Sequence, residues 1–201
     1  MNPSLLDQFG NIDIYVFDQL LRGRIAPGKR VFDAGCGGGR NLVFLLRNGF
    51  DVCGNDVDAN AVAQVRAMAA AIASGANPDF RVEPIEHTSF PDAHADVVMA
   101  SAVLHFARDP GHFEAMLREM WRVLRPGGVF FARLASTIGV ASDVVPIGNG
   151  RYRLPDGSDR YLVDAAAIVH WTAALGGTLI DPIKTTVVDG QRAMTTWVAK
   201  K

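Results

Sequence analysis

A doubly wound α/β sheet, mostly parallel and of seven strands, is the fold this sequence predicts, and three observations carry the prediction. Short apolar runs alternate with stretches of helical period; a glycine-rich turn follows the first run; and the chain closes on two β-type runs joined by Asp189-Gly190. Alternation of strands and helices implies parallel pairing with helices on both faces. The closing pair is a hairpin signal, so the last two strands should be antiparallel.

The strand candidates are residues 30–34, 50–54, 80–84, 96–100 and 129–134, each carrying Val or Phe and of ordinary strand length. Helical period marks residues 41–47, 59–73 and 112–124. In the last of these, Phe113, Met116, Leu117, Met120, Trp121 and Leu124 recur at three and four, which reads as a packing stripe. Arg125-Pro126-Gly127-Gly128 should stop that helix, because proline cannot continue it and glycine accepts the left-handed cap. Asp58 reads as an N-cap for the helix that follows it. The hairpin strands are residues 178–188 and 192–199.

The chain has 201 residues, 49% hydrophobic and 20% charged, enough for one substantial core in one domain. Twenty lysines and arginines against 21 acids leave a net charge of -1, which argues against nucleic acid or an anionic membrane as partner. The longest apolar stretch, residues 61–73, is broken by Gln64 and Arg66, so no membrane-spanning helix is expected. The opening MNPSLLDQFG lacks the basic start and apolar middle of a secretory signal, which points to the cytoplasm. Cys36 and Cys53 form no CxxC or zinc spacing and read as free thiols, and no metal is expected.

The decisive segment is Asp33-Ala34-Gly35-Cys36-Gly37-Gly38-Gly39-Arg40-Asn41 at the end of the first strand. Glycines there let the chain turn sharply and let backbone N–H groups approach a ligand at the start of the next helix. A dinucleotide fingerprint, GxGxxG, would need its third glycine where Arg40 stands. The pattern is DxGxGxG instead. Asp33 suits a ligand carrying an ammonium group, and Asp56, after the second strand, suits the two hydroxyls of a ribose. Together they fit an adenosine with an amino-acid tail.

From Arg30 to the C-terminus the chain resembles the class I S-adenosylmethionine-dependent methyltransferases. The likeness rests on DxGxGxG, Asp56, Phe90-Pro91-Asp92 before Asp96-Val97-Val98, the Leu124-Arg125-Pro126-Gly127-Gly128 turn and the terminal hairpin. GCGGGRN and the short build are most similar to the tellurite-resistance methyltransferase group. The resemblance implies strand order 3-2-1-4-5-7-6 with a reversed last strand. It also implies S-adenosylmethionine as cofactor, bound by Asp33, Ala34, Gly35, Gly37, Gly39, Asn41, Asp56, Val57 and Ser101. Relatives often end the third strand in Asp-Ala; Arg81-Val82-Glu83-Pro84-Ile85-Glu86 departs from this, moving the adenine contact to Ile85 and Glu86.

Residues 1–28 read as an N-terminal helical extension and residues 29–201 as a single methyltransferase domain. An insertion of about residues 135–160, with turn signals at Gly148-Asn149-Gly150 and Asp156-Gly157 around an alternating Arg151-Tyr152-Arg153, should form a small hairpin. Both segments are expected to act as lids. His87, His94, His112 and His170 fall where surface or capping roles suffice, whereas His105 follows the fourth strand, at the edge where open α/β sheets keep their chemistry. The expected acceptor pocket therefore gathers His105, Arg108, Arg133, Ser136 and Arg151, with His105, Arg108 and Arg151 as catalytic candidates. It suits a small, anionic acceptor, and His105, near its ordinary pKa of about 6.5, would take the proton. ASAVLHFARDP lacks the Asn/Asp-Pro-Pro-aromatic motif of enzymes that methylate amino groups of bases or glutamine. Two other readings stay open: a nicotinamide-dependent oxidoreductase, and a non-catalytic cofactor-binding protein on the same fold.

Overall fold

The computed structural model describes residues 4–72 and 78–201. In chain order the elements are α1 (Leu5–Phe9), α2 (Ile14–Leu21), β1 (Arg30–Ala34), α3 (Val43–Arg47), β2 (Asp51–Asp56), α4 (Ala59–Ile72), β3 (Asp79–Val82), β4 (Ala95–Ser101), α5 (Pro110–Val123) and β5 (Leu124–Ser136). Then follow β6 (Val145–Gly148), β7 (Arg151–Arg153), β8 (Asp159–Tyr161), α6 (Ala165–Ala174), β9 (Thr178–Leu179), β10 (Lys184–Val188) and β11 (Arg192–Lys200). The main sheet runs β10-β11-β5-β4-β1-β2-β3, with β9 also on β11. β3, β2, β1, β4 and β5 are parallel, and β11 is antiparallel to both β5 and β10. That is the expected 3-2-1-4-5-7-6 order, with β9 and β10 sharing the sixth position.

Alternation along the strands divides the core into two layers. Phe32, Val98, Phe130 and Trp197 face one side, with Phe113, Met116 and Met120 of α5 and Ile168 of α6. Their sequence neighbours Val31, Val97, Phe131 and Val198 face the other, with Val16 of α2, Leu45 of α3 and Val62 and Val65 of α4. Each large side chain so buried contributes roughly 1.5–3 kcal/mol. Trp197 keeps its indole N–H satisfied by donating to Thr172 Oγ1 at 2.9 Å.

Helix limits follow their caps rather than the apolar stripe. Asp109 accepts from His112 N at 2.8 Å and Pro110 fills the first turn, so α5 begins two residues before the periodic run and ends at Val123, one before it. The 41–47 helix shortens to Val43–Arg47. Asp58 Oδ1 accepts from Asn60 N at 2.8 Å, capping α4, whose described part ends at Ile72; residue 73 of the expected helix and residues 1–3 of the extension lie outside the described residues. The 178–188 run is two strands, because Asp181-Pro182 interrupts it. β6, β7 and β8 form a separate antiparallel three-stranded sheet after β5, one strand more than the expected hairpin.

Candidate functional site

At the carboxyl end of β1 the chain turns through Gly35, Gly37 and Gly39, all at positive φ. The glycines do different work. A Cβ at Gly39 would stand 2.6 Å from Val65 Cγ2 and 2.5 Å from Met68 Cε, so that glycine lets the turn lie against α4. A Cβ at Gly37 would meet nothing within 4 Å: it would project into open space. That space is a cavity of about 400 Å³ reaching Asn11, Gly35, Gly37, Asn41 and Ser101.

Two carboxylates stand at the strand ends beside the turn, Asp33 in β1 and Asp56 at the end of β2. Asp33 is buried, and none of the described residues donates a hydrogen bond to its carboxyl; burial, with Asp56 adding to it against the pull of Arg40, pushes its pKa up to about 7. A buried acid in this state gains by meeting a cation. Asp56 accepts from Gly37 N through Oδ2 at 2.9 Å and from Asp58 N through Oδ1 at 2.9 Å, which ties the strand end to the turn and fixes the carboxylate's direction. Ala34 is fully buried between them and can offer only backbone.

A second cavity, of about 230 Å³, meets the first at Gly35 and is lined by Asp56, Val57, Ile85 and Glu86. The four residues expected at ribose and adenine are therefore brought to one place. His112 joins them, its Nε2 3.1 Å from Glu86 Oε1, while its Nδ1 accepts from Arg108 N at 3.1 Å. Burial raises Glu86, but its own backbone N–H, His112 and Arg108 outweigh that and hold it below the usual carboxylate range. Sequence reading gave His112 only a surface or capping role; its place here depends on Asp109 starting α5 early.

A third cavity, of about 260 Å³, lies beyond Ser101 and contains His105 and Arg133 together with Arg40, Arg160 and Arg192. The last three were missed: Arg40 was read only as a missing glycine, and Arg160 and Arg192 come from β8 and β11, elements far apart in sequence. His105 is 7% exposed, its Nδ1 has no hydrogen-bond partner, and burial together with the Arg160 charge pulls its pKa down to about 4. This corrects the expected value near 6.5: the imidazole is neutral at pH 7.

The other expected acceptor residues are elsewhere. Arg108 lines the adenine-side cavity and stands 3.5 Å from Glu86. Ser136 is buried with its hydroxyl 2.6 Å from Thr195 Oγ1, because the β5–β11 pairing turns it inward. Arg151 pairs with Tyr161 on the small sheet and does not line the cavity of His105. Asn41 lines the cradle, but its side-chain oxygen is taken by Asp13 N at 2.9 Å. Asp13 in turn holds Arg133 Nη1 at 2.6 Å, which fastens the α2 end to β5. Ser101 Oγ accepts from Arg40 at 3.2 Å. Cys36 and Cys53 are buried and free, each thiol pushed up by burial. Among the described residues no cluster of His, Cys, Asp or Glu suited to a metal occurs, and no helix is long and apolar enough to cross a membrane.

Comparison with known proteins agrees with this geometry. The methyltransferase domain family matches residues 32–132, from β1 into β5. A ubiquinone biosynthesis O-methyltransferase of Pectobacterium atrosepticum is 34% identical over 111 residues, covering 53% of this chain and 43% of its own length. The chain spans about half the length of the curated relatives it matches. Among solved structures, an S-adenosylmethionine-dependent methyltransferase from Methanosarcina mazei superposes with TM-score 0.73 at 21% identity over 90% of this chain and 96% of its own. A 1,6-didemethyltoxoflavin-N1-methyltransferase from Burkholderia thailandensis, holding S-adenosylhomocysteine, gives 0.73 at 18% identity over 96% and 79%. At these identities the structural likeness is one of fold. None of the three carries the narrower tellurite-resistance likeness.

Proposed function

The chain belongs to the class I S-adenosylmethionine-dependent methyltransferase family, and on that premise we propose that it transfers the cofactor's methyl group to a small, anionic acceptor lodged in the cavity of His105. The observation that carries the reading is the pair of acids, Asp33 and Asp56, at successive strand ends around a turn whose Gly37 faces open space. The residues present fit the cofactor. Asp33, unpartnered and buried, answers its ammonium group; Gly37, with no side chain, leaves the turn open to close approach; Asp56 is aimed for the ribose hydroxyls; and Val57, Ile85 and Glu86 border the space for adenine.

When bound, the cofactor supplies an electrophilic sulfonium methyl. The chain's part is to hold donor and acceptor in line and keep water out, which can supply much of the acceleration without a metal. Ser101 and Arg40 stand between the cradle and the third cavity, where the methyl would cross. His105, neutral at pH 7, lines the third cavity where it would take a proton from a protonated acceptor.

The extension of residues 1–28 and the insertion of about residues 135–160 serve as lids on the single domain of residues 29–201. Gly10 and Asn11 border the cradle, and Leu154, Asp156 and Ser158 border the acceptor cavity. A cytoplasmic location suits the two free thiols. Thermal-shift measurement with S-adenosylmethionine, S-adenosylhomocysteine and NAD tests the reading: the first two should raise Tm and NAD should not. A shift with NAD alone would favour an oxidoreductase instead.

A further inference from the structure

Counting the partners of the arginines around the third cavity separates them into two pairs. Arg133 and Arg40 share buried Asp13, at 2.6 and 3.8 Å. Arg160 and Arg192 have no carboxylate within 4.0 Å among the described residues. Arg160 donates to the backbone carbonyl of Asp159 at 2.8 Å and lies 4.9 Å from the Phe106 ring centroid. Asp156, the one acid on the cavity wall, spends its Oδ1 on Ser158, at 2.9 Å to N and 2.6 Å to Oγ. Two guanidiniums are thus left without a direct ion-pair partner at the mouth of a space whose remaining wall includes Leu154, Val188, Met194 and buried His105.

We propose that Arg160 and Arg192 clamp a carboxylate of the acceptor, and that the acceptor is a hydroxy-substituted carboxylic acid whose hydroxyl meets the His105 imidazole. The proposal rests on the methyl-transfer reading above and adds the substrate class. Planar guanidiniums match a carboxylate fork with charge-assisted hydrogen bonds, and the apolar wall takes the hydrocarbon body. A cationic or amine acceptor would meet the like charge of two guanidiniums, which the single carboxylate of Asp156 only partly offsets. In the transfer, the bond from sulfur to methyl breaks, its electron pair stays on sulfur, and a bond from methyl to the acceptor's hydroxyl oxygen forms. The hydroxyl proton passes to His105 and from there to water, so the products are a methyl ether acid, a neutral thioether and one proton.

The test is calorimetry on the intact chain saturated with S-adenosylhomocysteine, titrated with 3-hydroxybenzoate, 4-hydroxybenzoate and 3-hydroxyhexanoate and with the carboxamide of each. At least one acid should bind ten-fold or more tightly than its amide, and the Arg160→Gln/Arg192→Gln double variant should erase that preference while keeping S-adenosylhomocysteine affinity. With labelled S-adenosylmethionine the preferred acid should yield an ether, stable to mild base, and not an ester. Amides binding as well as acids, a preference that survives in the double variant, an ester product, or no acid binding to the loaded protein would each overturn the proposal. Failure of S-adenosylhomocysteine itself to bind would instead overturn the methyl-transfer reading.

Discussion

Gly37 and Gly39 stand two residues apart in one turn, yet alanine should fail at each for a different reason. At Gly39 the added methyl would stand 2.5 Å from Met68 Cε and 2.6 Å from Val65 Cγ2. Met68 can swing its end away, but Val65 is fully buried and stiff at χ1. Overpacking of this kind costs about 1–3 kcal/mol, and holding alanine at φ +81 adds about 1–2 kcal/mol. The expected loss is about 2–5 kcal/mol, or about 4–20 °C of Tm at about 2–4 °C per kcal/mol for a chain of this size. At Gly37, with φ +50 and nothing within 4 Å, only the backbone cost of about 1–2 kcal/mol applies. The methyl would instead occupy the space through which the cofactor approaches the turn, and affinity for S-adenosylhomocysteine should fall at least ten-fold. Urea unfolding and titration calorimetry on both variants measure the two effects separately. Wild-type affinity in Gly37→Ala, or wild-type stability in Gly39→Ala, would refute this division of labour.

Asp33 makes stability depend on pH in an unusual direction. Its folded pKa of about 7 lies above the ordinary 3.8, so the fold disfavours the ionised form and this group's contribution falls as pH rises from about 4 to 7. Asp33→Asn should therefore be more stable than wild type at pH 8, with the gap closing near pH 4, in urea unfolding; a gap independent of pH would contradict the assignment. Ligand binding at pH 6.5 should release protons as Asp33 ionises against the ammonium group, seen as a heat that changes with buffer ionisation enthalpy. Arg160→Gln removes the like charge beside His105, and the imidazole pKa, read by NMR, should rise from about 4 yet stay below 6.5, because burial remains the larger cause. Asp13→Ala unfastens the extension from Arg133 and uncaps α2 at Tyr15 N, so limited proteolysis before residue 28 should quicken, and S-adenosylhomocysteine should slow cutting in wild type; equal rates with and without ligand would reduce the extension to surface decoration.

The parallel part of the fold was legible because strands buried on both faces read as short apolar runs, which Val31-Phe32 and Val97-Val98-Met99-Ala100 supply. The reversed last strand was legible from one local turn, Asp189-Gly190. The turn at Gly37, with Asp33 and Asp56 beside it, was legible too, since its local chemistry is unusual. The gathering of arginines at the third cavity was not. Arg160 and Arg192 reach one cavity only because β8 and β11 fold beside the end of β4, and no spacing along the chain encodes that meeting. Ser136 shows the converse: expected in the loop pocket after the fifth strand, it is the last residue of β5, and the β11 pairing turns its side chain to Thr195. His105 was found by position, but its acidity was not, because burial and Arg160, an arginine far along the chain, set it.

The central claim, that the turn at Gly37 and the carboxylate of Asp56 hold S-adenosylmethionine, is tested most directly by calorimetric titration of S-adenosylhomocysteine into wild type, Asp56→Ala and Asp56→Asn. Wild type should bind. Asp56→Ala, which loses both the ribose acceptor and the brace on Gly37 N, should bind with a deficit of about 1–3 kcal/mol, or about 5- to 150-fold. Asp56→Asn keeps an oxygen for Gly37 but loses the charge, and should fall between the two. Equal affinity in all three proteins would contradict the account.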